Sequence, residues 1–537
     1  MRLLGWLDGP DERRGIRFAR PGGDWEFWSY ARLAGLARDL ASGLLARSHQ
    51  RGDVVSIVHR SGPEFVAGLF GTLLAGGTPS PVAPPGAYTD SAAYQAHLHG
   101  LFSAARPRTV LCEPQLAEEV GPVAAAAGVP TVSTVDDLLA AAGGFSRPEP
   151  AELALVQFTS GSSGVANGVR VRYPTLEANL AAISSWLRMT SEDPTASWLP
   201  VHHDMGLIGC LLTPVVNQTD LWLLSPEDFV RSPARYLRCF GVEGARLTAM
   251  PNFGVGYLAR RVRPADLTGC DFSAWRSIIV GAERIDREAL DRAYQLLGPF
   301  GLRREAFLPA YGLAEATVAV TGLPLPEVYR SVRVRPESLT PGQPAEEAEA
   351  GQEITGCGRP LDGVQVSIVD DSDAELPDWH VGQIVVRGSS VADGYLGTPR
   401  PGQSSRLRDG TLWSGDAGFL VDGQLFVLGR LGDSMKVRGR TVFAEDLEEL
   451  LGDLRAPARR LMVVLGESGG TPTVVVVFDR AREDWLSRTP RLLKPRIADA
   501  ELVLADVPRG VLRWTSSGKP RRRSMWDAYL RGELDAP

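Results

Sequence analysis

Residues 158–168 read FTSGSSGVANG, a run of small and polar residues between two strand-like runs, LALVQ before it and VRVRYP after it. Glycines allow positive φ angles and close approach of the backbone to a ligand, and hydroxyl side chains add hydrogen-bond donors. A loop of this kind is suited to cradling phosphate groups, although it lacks the Gly-Lys-Ser/Thr ending of a Walker A motif and an ordinary turn is the alternative. The residues concerned are Thr159, Ser160, Gly161, Ser162, Ser163, Gly164 and Gly168.

On both sides of this loop, helical segments alternate with short β-branched runs. The segment SYARLAGLARDLASGLLARS (29–48) has apolar residues at helical spacing, and DVVSIVH, RTVLCE and WRSIIVGAE are typical of buried strands. This alternation predicts an α/β fold with a mostly parallel sheet up to about residue 322. Closely spaced short strands over about 354–431 predict a small β-barrel-like unit, and the remainder of the chain predicts an α+β unit.

The length of the chain indicates more than one domain. A chain of 537 residues is too long for a single hydrophobic core. We expect a large N-terminal domain over 1–431 and a small, mobile C-terminal domain over 432–537.

Composition excludes several classes of protein. The chain is 44% hydrophobic and 23% charged with a net charge of −7, which argues against a general nucleic-acid binder. The five cysteines stand far apart without a CxxC pair, which argues against structural zinc and a disulfide framework. No apolar run approaches the ~18 residues of a membrane span, and the charged N-terminus does not resemble a signal peptide. We therefore expect a cytoplasmic protein.

Six further motifs follow the loop: SWLPVHHDMGLIG (197–209), GAERI (281–285), AYGLAEAT (310–317), WSGDAGF (413–419), GRLGDSMKVRG (429–439) and TSSGKPRR (515–522). Their order and wording resemble the adenylate-forming superfamily of acyl- and aryl-CoA ligases, peptide-synthetase adenylation domains and luciferases. The chain is most similar to the fatty acyl-AMP ligase branch, whose pattern SWLP-x-x-HDMGLIG is matched by Ser197–Pro200 and His203–Gly209. The resemblance extends over about 30–525 and implies that a carboxylate and ATP react to give acyl-AMP and pyrophosphate.

The resemblance also implies a nucleotide site. The loop would hold the β- and γ-phosphates, the GAE residues and the tyrosine of AYG would hold adenine, and a carboxylate with an arginine would bind the ribose. A glutamate would hold Mg²⁺, a hard cation that prefers oxygen ligands. Beyond the loop, these residues are Gly281, Ala282, Glu283, Tyr311, Gly312, Glu315 for Mg²⁺, Thr317 for the α-phosphate, Asp416 and Arg430.

Lys519 occupies the position of the family's catalytic lysine. Its ammonium group would bridge the substrate carboxylate and the α-phosphate. His203 would position or gate the acid, since a carboxylate of pKa ~4 is already ionised and needs no general base. Candidates for the acyl pocket are Trp186, His203, Met250 and Phe253, although these residue types are equally suited to core packing. The hinge between the domains is expected at Gly432 and Asp433.

Three functions remain to be separated. They are an acyl-AMP ligase that delivers its product to a carrier-protein thiol or a partner, an acyl-CoA ligase, and a non-catalytic homologue. The aspartate that binds an α-amino group in peptide-synthetase domains has no clear match, since the chain reads HHDMG at that point. Residues 323–355 resemble the insertion that marks acyl-AMP ligases and limits the swing of the small domain. Val328, Val332, Val334 and Leu339 could anchor it, although the polar composition of 341–353 is also typical of an exposed loop.

Overall fold

The computed structural model describes residues 2–20, 22–86, 91–159, 167–397, 405–437, 440–454, 460–515 and 519–534. Five predicted phosphate-loop residues lie outside these ranges. They are Ser160, Gly161, Ser162, Ser163 and Gly164.

The α-helices of the described residues follow in chain order. They are α1 Tyr30–Ala46, α2 Pro63–Leu74, α3 Ser91–Ala105, α4 Ala117–Ala126, α5 Val135–Ala141, α6 Tyr173–Trp186, α7 Thr213–Val216, α8 Pro226–Arg231, α9 Pro233–Gly241, α10 Asn252–Arg261, α11 Arg287–Leu297, α12 Ala444–Leu450, α13 Glu483–Ile497 and α14 Arg522–Leu530.

The strands are numbered in the same way. They are β1 Gly15–Ala19, β2 Trp25–Ser29, β3 Val54–Val58, β4 Thr78–Val82, β5 Thr109–Cys112, β6 Thr131–Ser133, β7 Leu153–Phe158, β8 Gly168–Arg172, β9 Thr195–Ser197, β10 Leu221–Leu223, β11 Leu247–Pro251, β12 Ser277–Gly281, β13 Phe307–Gly312, β14 Ala319–Gly322, β15 Ser331–Val334, β16 Gln352–Thr355, β17 Arg359–Pro360, β18 Val364–Val369, β19 Gly382–Gly388, β20 Gly394–Tyr395, β21 Arg406–Arg408, β22 Thr411–Val421, β23 Gln424–Arg430, β24 Ser434–Val437, β25 Arg440–Phe443, β26 Leu461–Ser468, β27 Thr471–Asp479 and β28 Glu501–Val507.

Two sheets with parallel strands form the α/β part of the molecule. One contains β4-β3-β5-β6, all parallel. The other has nine strands in the order β17-β14-β13-β12-β11-β9-β10-β1-β2, and the run from β13 to β1 is parallel. Parallel strands are buried on both faces, which explains the near-continuous apolar runs in the sequence. The predicted α/β class is confirmed.

Helix α1 shows how the sequence sets the local structure. The Ser29 side chain caps the helix by accepting a hydrogen bond of 3.2 Å from the backbone N–H of Arg32. Leu33, Ala37 and Leu40 recur every three or four residues and are buried, so one face of the helix joins the core.

The β-rich unit predicted as barrel-like is an antiparallel sheet of five strands. Its order is β18-β19-β22-β21, and β23 pairs with the second half of β22. The β22–β23 pairing sets Asp416 directly opposite Arg430. Two residues from separate sequence motifs therefore meet on one sheet.

The chain from 432 onward, called here the C-terminal segment, has its own sheet and apolar clusters. Strand β27 pairs antiparallel with β26 and parallel with β28. Trp485 and Phe478 are buried in one cluster, and Met525 and Trp526 in another on the opposite side of the sheet. Its boundary at 432 remains a prediction.

Candidate active site

A large cleft lies at the carboxyl ends of strands β11, β12 and β13, where ligand sites of open α/β sheets form. Its volume of about 3200 Å³ is ample for a nucleotide and an acid together. The C-terminal segment contributes to its walls. Of the predicted site residues, the cleft brings together Thr159, His203, Phe253, Ala282, Glu283, Tyr311, Gly312, Glu315, Asp416, Arg430, Asp433 and Lys519.

Tyr311 and Asp416 form the central contact of the cleft. The Tyr311 hydroxyl donates a hydrogen bond of 2.6 Å to Asp416 Oδ2. Burial, and then the neighbouring Asp416 charge, raises the pKa of Tyr311 well above its usual value, so the phenol remains a donor. Arg430 Nε lies 3.5 Å from Asp416 Oδ1. The carboxylate is thus fixed in place, and its two oxygens retain acceptor capacity for hydroxyl groups of a ligand.

Ala282 has an unusual backbone conformation directly after β12. Its φ is 68°, in the left-handed region that non-glycine residues rarely adopt. Such strain costs about 1–3 kcal/mol and is found mainly where a ligand or a reaction benefits from it. The turn places Ala282 and Glu283 on the wall of the cleft, which Tyr311 on the neighbouring strand β13 also lines. Gly281 lines a smaller cavity that adjoins the cleft.

Glu315 is held at the cleft by two hydroxyl groups. Its Oε1 accepts hydrogen bonds from Tyr395 Oη at 2.9 Å and from Ser405 Oγ at 3.1 Å. No hydrogen bond to Oε2 occurs within the part of the chain that the structure describes, so this oxygen suits a cation. The described residues contain no group of three or more His, Cys, Asp or Glu side chains able to hold a metal ion. A cation at Glu315 would therefore depend on ligand oxygens and water, as Mg²⁺ usually does.

Lys519 is placed by a short turn of the C-terminal segment. Its backbone N–H donates to Thr515 Oγ1 at 2.9 Å, and its carbonyl accepts from the Thr515 N–H at 2.8 Å. Lys519 lines both the cleft and the adjoining cavity, as Tyr311 and Asp204 do. The one lysine singled out from the sequence therefore lies where the two spaces meet.

Four histidines line the cleft, namely His59, His97, His202 and His203, and sequence reasoning singled out only His203. The rings of His202 and His203 lie 4.5 Å apart. Burial, assisted by His203 and His97, lowers the pKa of His202 well below its usual value. Burial and the nearby Arg521 lower the pKa of His97 to about 4. His202 and His97 are thus neutral at pH 7. His97 lies on α3 in a stretch, AHLHG, without any recognisable motif.

Several predicted residues do not line the cleft: Gly281 and Trp186 line only the adjoining cavity, and Gly168, Met250, Thr317 and Gly432 line neither space. Thr317 is fully buried, and its hydroxyl donates a hydrogen bond of 2.8 Å to the Ser390 carbonyl, so it is occupied within the protein. Met250, on β11, is fully buried in the core. Neither lines the cleft or the adjoining cavity. The position of Met250 agrees with the alternative of core packing.

The predicted hinge lies beside a buried charge cluster that the sequence did not suggest. Asp433 Oδ2 accepts from Arg522 Nη1 at 3.2 Å, and Glu445 and Glu448 accept from the same guanidinium at 2.7 and 2.8 Å. Three carboxylates thus surround one buried cation. Burial is the largest cause that raises the pKa of Glu445 to about 7, with Arg522 opposing it.

The sequence pattern of the AMP-binding enzyme family matches residues 9–396. The chain belongs to this family. A putative acyl-CoA synthetase of Caulobacter vibrioides is 31% identical over 524 residues, with 94% of this chain and 90% of the relative covered. The long-chain-fatty-acid–AMP ligase FadD26 of Mycobacterium tuberculosis is 30% identical over 520 residues, covering 89% and 87%. Both confirm the recognition made from the motifs.

Similarity to solved structures agrees with this assignment. A structure from a study of fatty acyl-adenylate ligases of E. coli and L. pneumophila has a TM-score of 0.89 and 27% identity, and covers 99% of this chain and 98% of the other. In the described part of the AMP-binding enzyme, no helix has both the length and the apolar character needed to cross a membrane.

Replacement of Asp416 by alanine should weaken nucleotide binding. Hydrogen bonds to a charged acceptor contribute about 1.5–3 kcal/mol each, so losing two should raise the Kd by about 100-fold or more. Isothermal titration calorimetry with ATP measures this. Asp422→Ala, on the exposed turn of the same hairpin, is the matched control and should bind normally. Unchanged affinity in Asp416→Ala would mean that the ribose is held elsewhere.

The raised pKa of Glu445 predicts a pH-dependent contribution to stability. The folded protein binds this proton up to about pH 7, whereas the unfolded chain releases it near its ordinary pKa of 4.5. The contribution of this proton to the free energy of unfolding is therefore fully present below about pH 4.5 and is lost as the pH rises to about 7. Glu445→Gln removes it, so the Tm of the variant relative to wild type should increase between pH 5 and pH 8. The exposed Glu467→Gln is the control, and parallel Tm curves for Glu445→Gln would contradict the prediction.

Proposed function

We propose that this AMP-binding enzyme uses ATP to convert a hydrophobic carboxylic acid into its acyl-adenylate and pyrophosphate, and then delivers the acyl group to a carrier-protein thiol. The observation that carries the proposal is the meeting of Asp416, Glu315 and Lys519 in one cleft. They come from three separate motifs, and each supplies a different requirement of the reaction. The adjoining cavity supplies a place for the acid.

In the proposed reaction, a carboxylate oxygen attacks the α-phosphorus of ATP, and the bond to the pyrophosphate oxygen breaks. Negative charge increases on the α-phosphate oxygens in the transition state, and the Lys519 ammonium would stabilise it. The attacking carboxylate is ionised at neutral pH and loses no proton. The lowered pKa values of His97 and His202 make both weak bases, which is consistent with a step that needs no general base.

The nucleotide would be bound by residues already in position. Tyr311, Ala282 and Glu283 would bound the adenine, and Asp416 with Arg430 would bind the ribose. Thr159 directly follows β7 at the start of the predicted phosphate loop. Mg²⁺ at Glu315 would neutralise phosphate charge. The single carboxylate of Glu315 fits this ion, because Mg²⁺ usually takes its other ligands from phosphate oxygens and water.

Contacts between the 323–355 insertion and the C-terminal segment support the proposed acceptor. Strands β15 and β16 form a hairpin, and Val334, Leu339 and Ile354 are buried in one apolar cluster with Phe443 of the C-terminal segment. The 323–355 insertion thus contacts the C-terminal segment through buried apolar side chains. Val328 is not one of them, because it is 46% exposed.

Polar contacts join the same two parts. The Gln352 amide donates to Asp446, and Arg284 forms an ion pair with the same carboxylate. Arg284 Nη2 also lies 3.7 Å from Glu449. Thioester formation with CoA requires a second orientation of the small domain, and contacts that favour the first by ~3 kcal/mol leave the second under about 1% populated. These contacts support a carrier-protein acceptor over CoA.

Lys519→Ala should lower acyl-adenylate formation by about 100-fold or more, because a donor aimed at developing charge is lost. ATP affinity should be retained, since the lysine acts on the reacting groups. ATP–pyrophosphate exchange with a panel of carboxylic acids measures the first quantity, and calorimetry measures the second. Lys494→Ala, at an exposed lysine of α13, is the control. Near-wild-type exchange by Lys519→Ala would remove this residue from the mechanism.

Asp446→Asn should allow acyl-CoA formation that the wild-type enzyme lacks. The substitution keeps the size of the side chain and weakens the contacts with Arg284 and Gln352, which frees the second orientation. The enzyme is incubated with ATP, an acid that it activates and CoA, and acyl-CoA is measured by mass spectrometry. The control is Glu483→Gln, which neutralises an exposed acid of the same segment. Efficient acyl-CoA formation by the wild-type protein would identify CoA as the acceptor instead.

A further inference from the structure

A smaller cavity of about 80 Å³ extends from the cleft into the large domain. It shares Lys519, Tyr311, Ala282 and Asp204 with the cleft, so it opens at the reacting centre. From there it extends between β11, β12 and the π-helical turn Met205–Leu212 towards the end of α6. We call it the side cavity.

The far wall of the side cavity contains Trp186, whose ring is fixed from behind. Its indole N–H donates a hydrogen bond of 2.8 Å to the carbonyl of Leu323. A Cβ atom at Gly322 would lie 2.2 Å from the ring, so only glycine at this position leaves room for the indole. Strand β14 therefore blocks the ring from moving away from the cavity.

Two hydroxyl groups of the wall are hydrogen-bonded within the protein. Thr248 Oγ1 donates to the Ala196 carbonyl, and Thr213 Oγ1 donates to the Ile208 carbonyl, each at 2.8 Å. Burial raises the pKa of the Cys210 thiol to about 11, which keeps it uncharged. The remaining wall is largely apolar, with Ile183, Leu187 and Ile279 among its residues. Such a space favours an apolar group.

The size of the side cavity limits what it holds. An apolar cavity of ~150 Å³ binds benzene, and the side cavity has about half of that volume. At roughly 30 Å³ for a water-sized group, it accommodates about three methylene groups beyond the atoms at its mouth. The cleft itself has a more polar wall, with Glu227, Asp228 and Arg231 among its lining residues beside apolar ones such as Phe253.

We propose that the acid activated by this enzyme is a short-chain aliphatic acid of about four to six carbons, whose tail lies in the side cavity and ends against Trp186. The inference rests on the proposed adenylation and adds its substrate class. Trp186 is then the residue that sets the maximum chain length. Gly322 and the Leu323 carbonyl are positioning groups that hold the ring.

The test is a chain-length profile of kcat/KM in ATP–pyrophosphate exchange with straight-chain acids of two to sixteen carbons. For wild type we expect a maximum at about four to six carbons and values at least about 10-fold lower for dodecanoate, since misfit in an apolar pocket is worth about that factor. Trp186→Ala should move the maximum to longer acids, and the milder Trp186→Phe should move it less. Trp28→Ala, at a partly exposed tryptophan on edge strand β2, should keep the wild-type profile.

A second variant fills the side cavity instead of enlarging it. Gly209 lines the side cavity, and a Cβ atom there would have no heavy atom within 4 Å. Gly209→Val should therefore fold normally and lose the five- and six-carbon acids before acetate, with ATP affinity unchanged in calorimetry.

The outcomes separate this inference from the function on which it rests. Equal activity of wild type on short and long acids, or an unchanged profile in both Trp186→Ala and Gly209→Val, would overturn the short-chain assignment and leave adenylation intact. Activation of no acid of any length, with ATP still bound, would overturn adenylation and the chain-length inference together.

Discussion

The hydrogen bond between Tyr311 and Asp416 is the contact on which the rest of the cleft depends. It joins the end of a parallel strand, β13, to an antiparallel strand, β22, and Arg430 on β23 completes the group. A buried carboxylate without partners would cost several kcal/mol, and these partners hold the Asp416 side chain in one place. The two sheets are thereby held at a fixed distance across the nucleotide site.

Lys519 is brought to this site by the C-terminal segment, and ion pairs and hydrogen bonds hold that segment against the rest of the protein. Arg284 of the large domain pairs with Asp446, and the insertion adds Gln352 to the same carboxylate. Arg522, with Asp433, Glu445 and Glu448, supports the fold of the segment next to the expected hinge. Any second orientation of the segment would have to break these contacts, so the proposed choice of acceptor depends on a few ion pairs.

Much of the fold and part of the site could be predicted from sequence. Alternating helical and β-branched periods predicted the parallel sheets, because these patterns reflect local geometry and burial. Motif order predicted the meeting of Tyr311, Glu315, Asp416 and Lys519 in one cleft. Thr317 and Met250 were assigned to the site from a motif or a residue type alone. Both are buried away from the cleft, because spacing along a chain does not show on which side of a strand a ligand lies. His97 was missed because a lone histidine on a helix carries no signal.

The sequence by itself determined the family, the α/β class and the residue types that the chemistry requires, because these are encoded in local patterns and fixed motifs. Only the tertiary structure decided the depth of the side cavity and the pairing of Arg284 with Asp446, which stand 162 residues apart. Trp186 closes the cavity because Gly322 and Leu323, about 140 residues later, pack behind it. Such distances depend on how separate elements pack, and no local pattern records them.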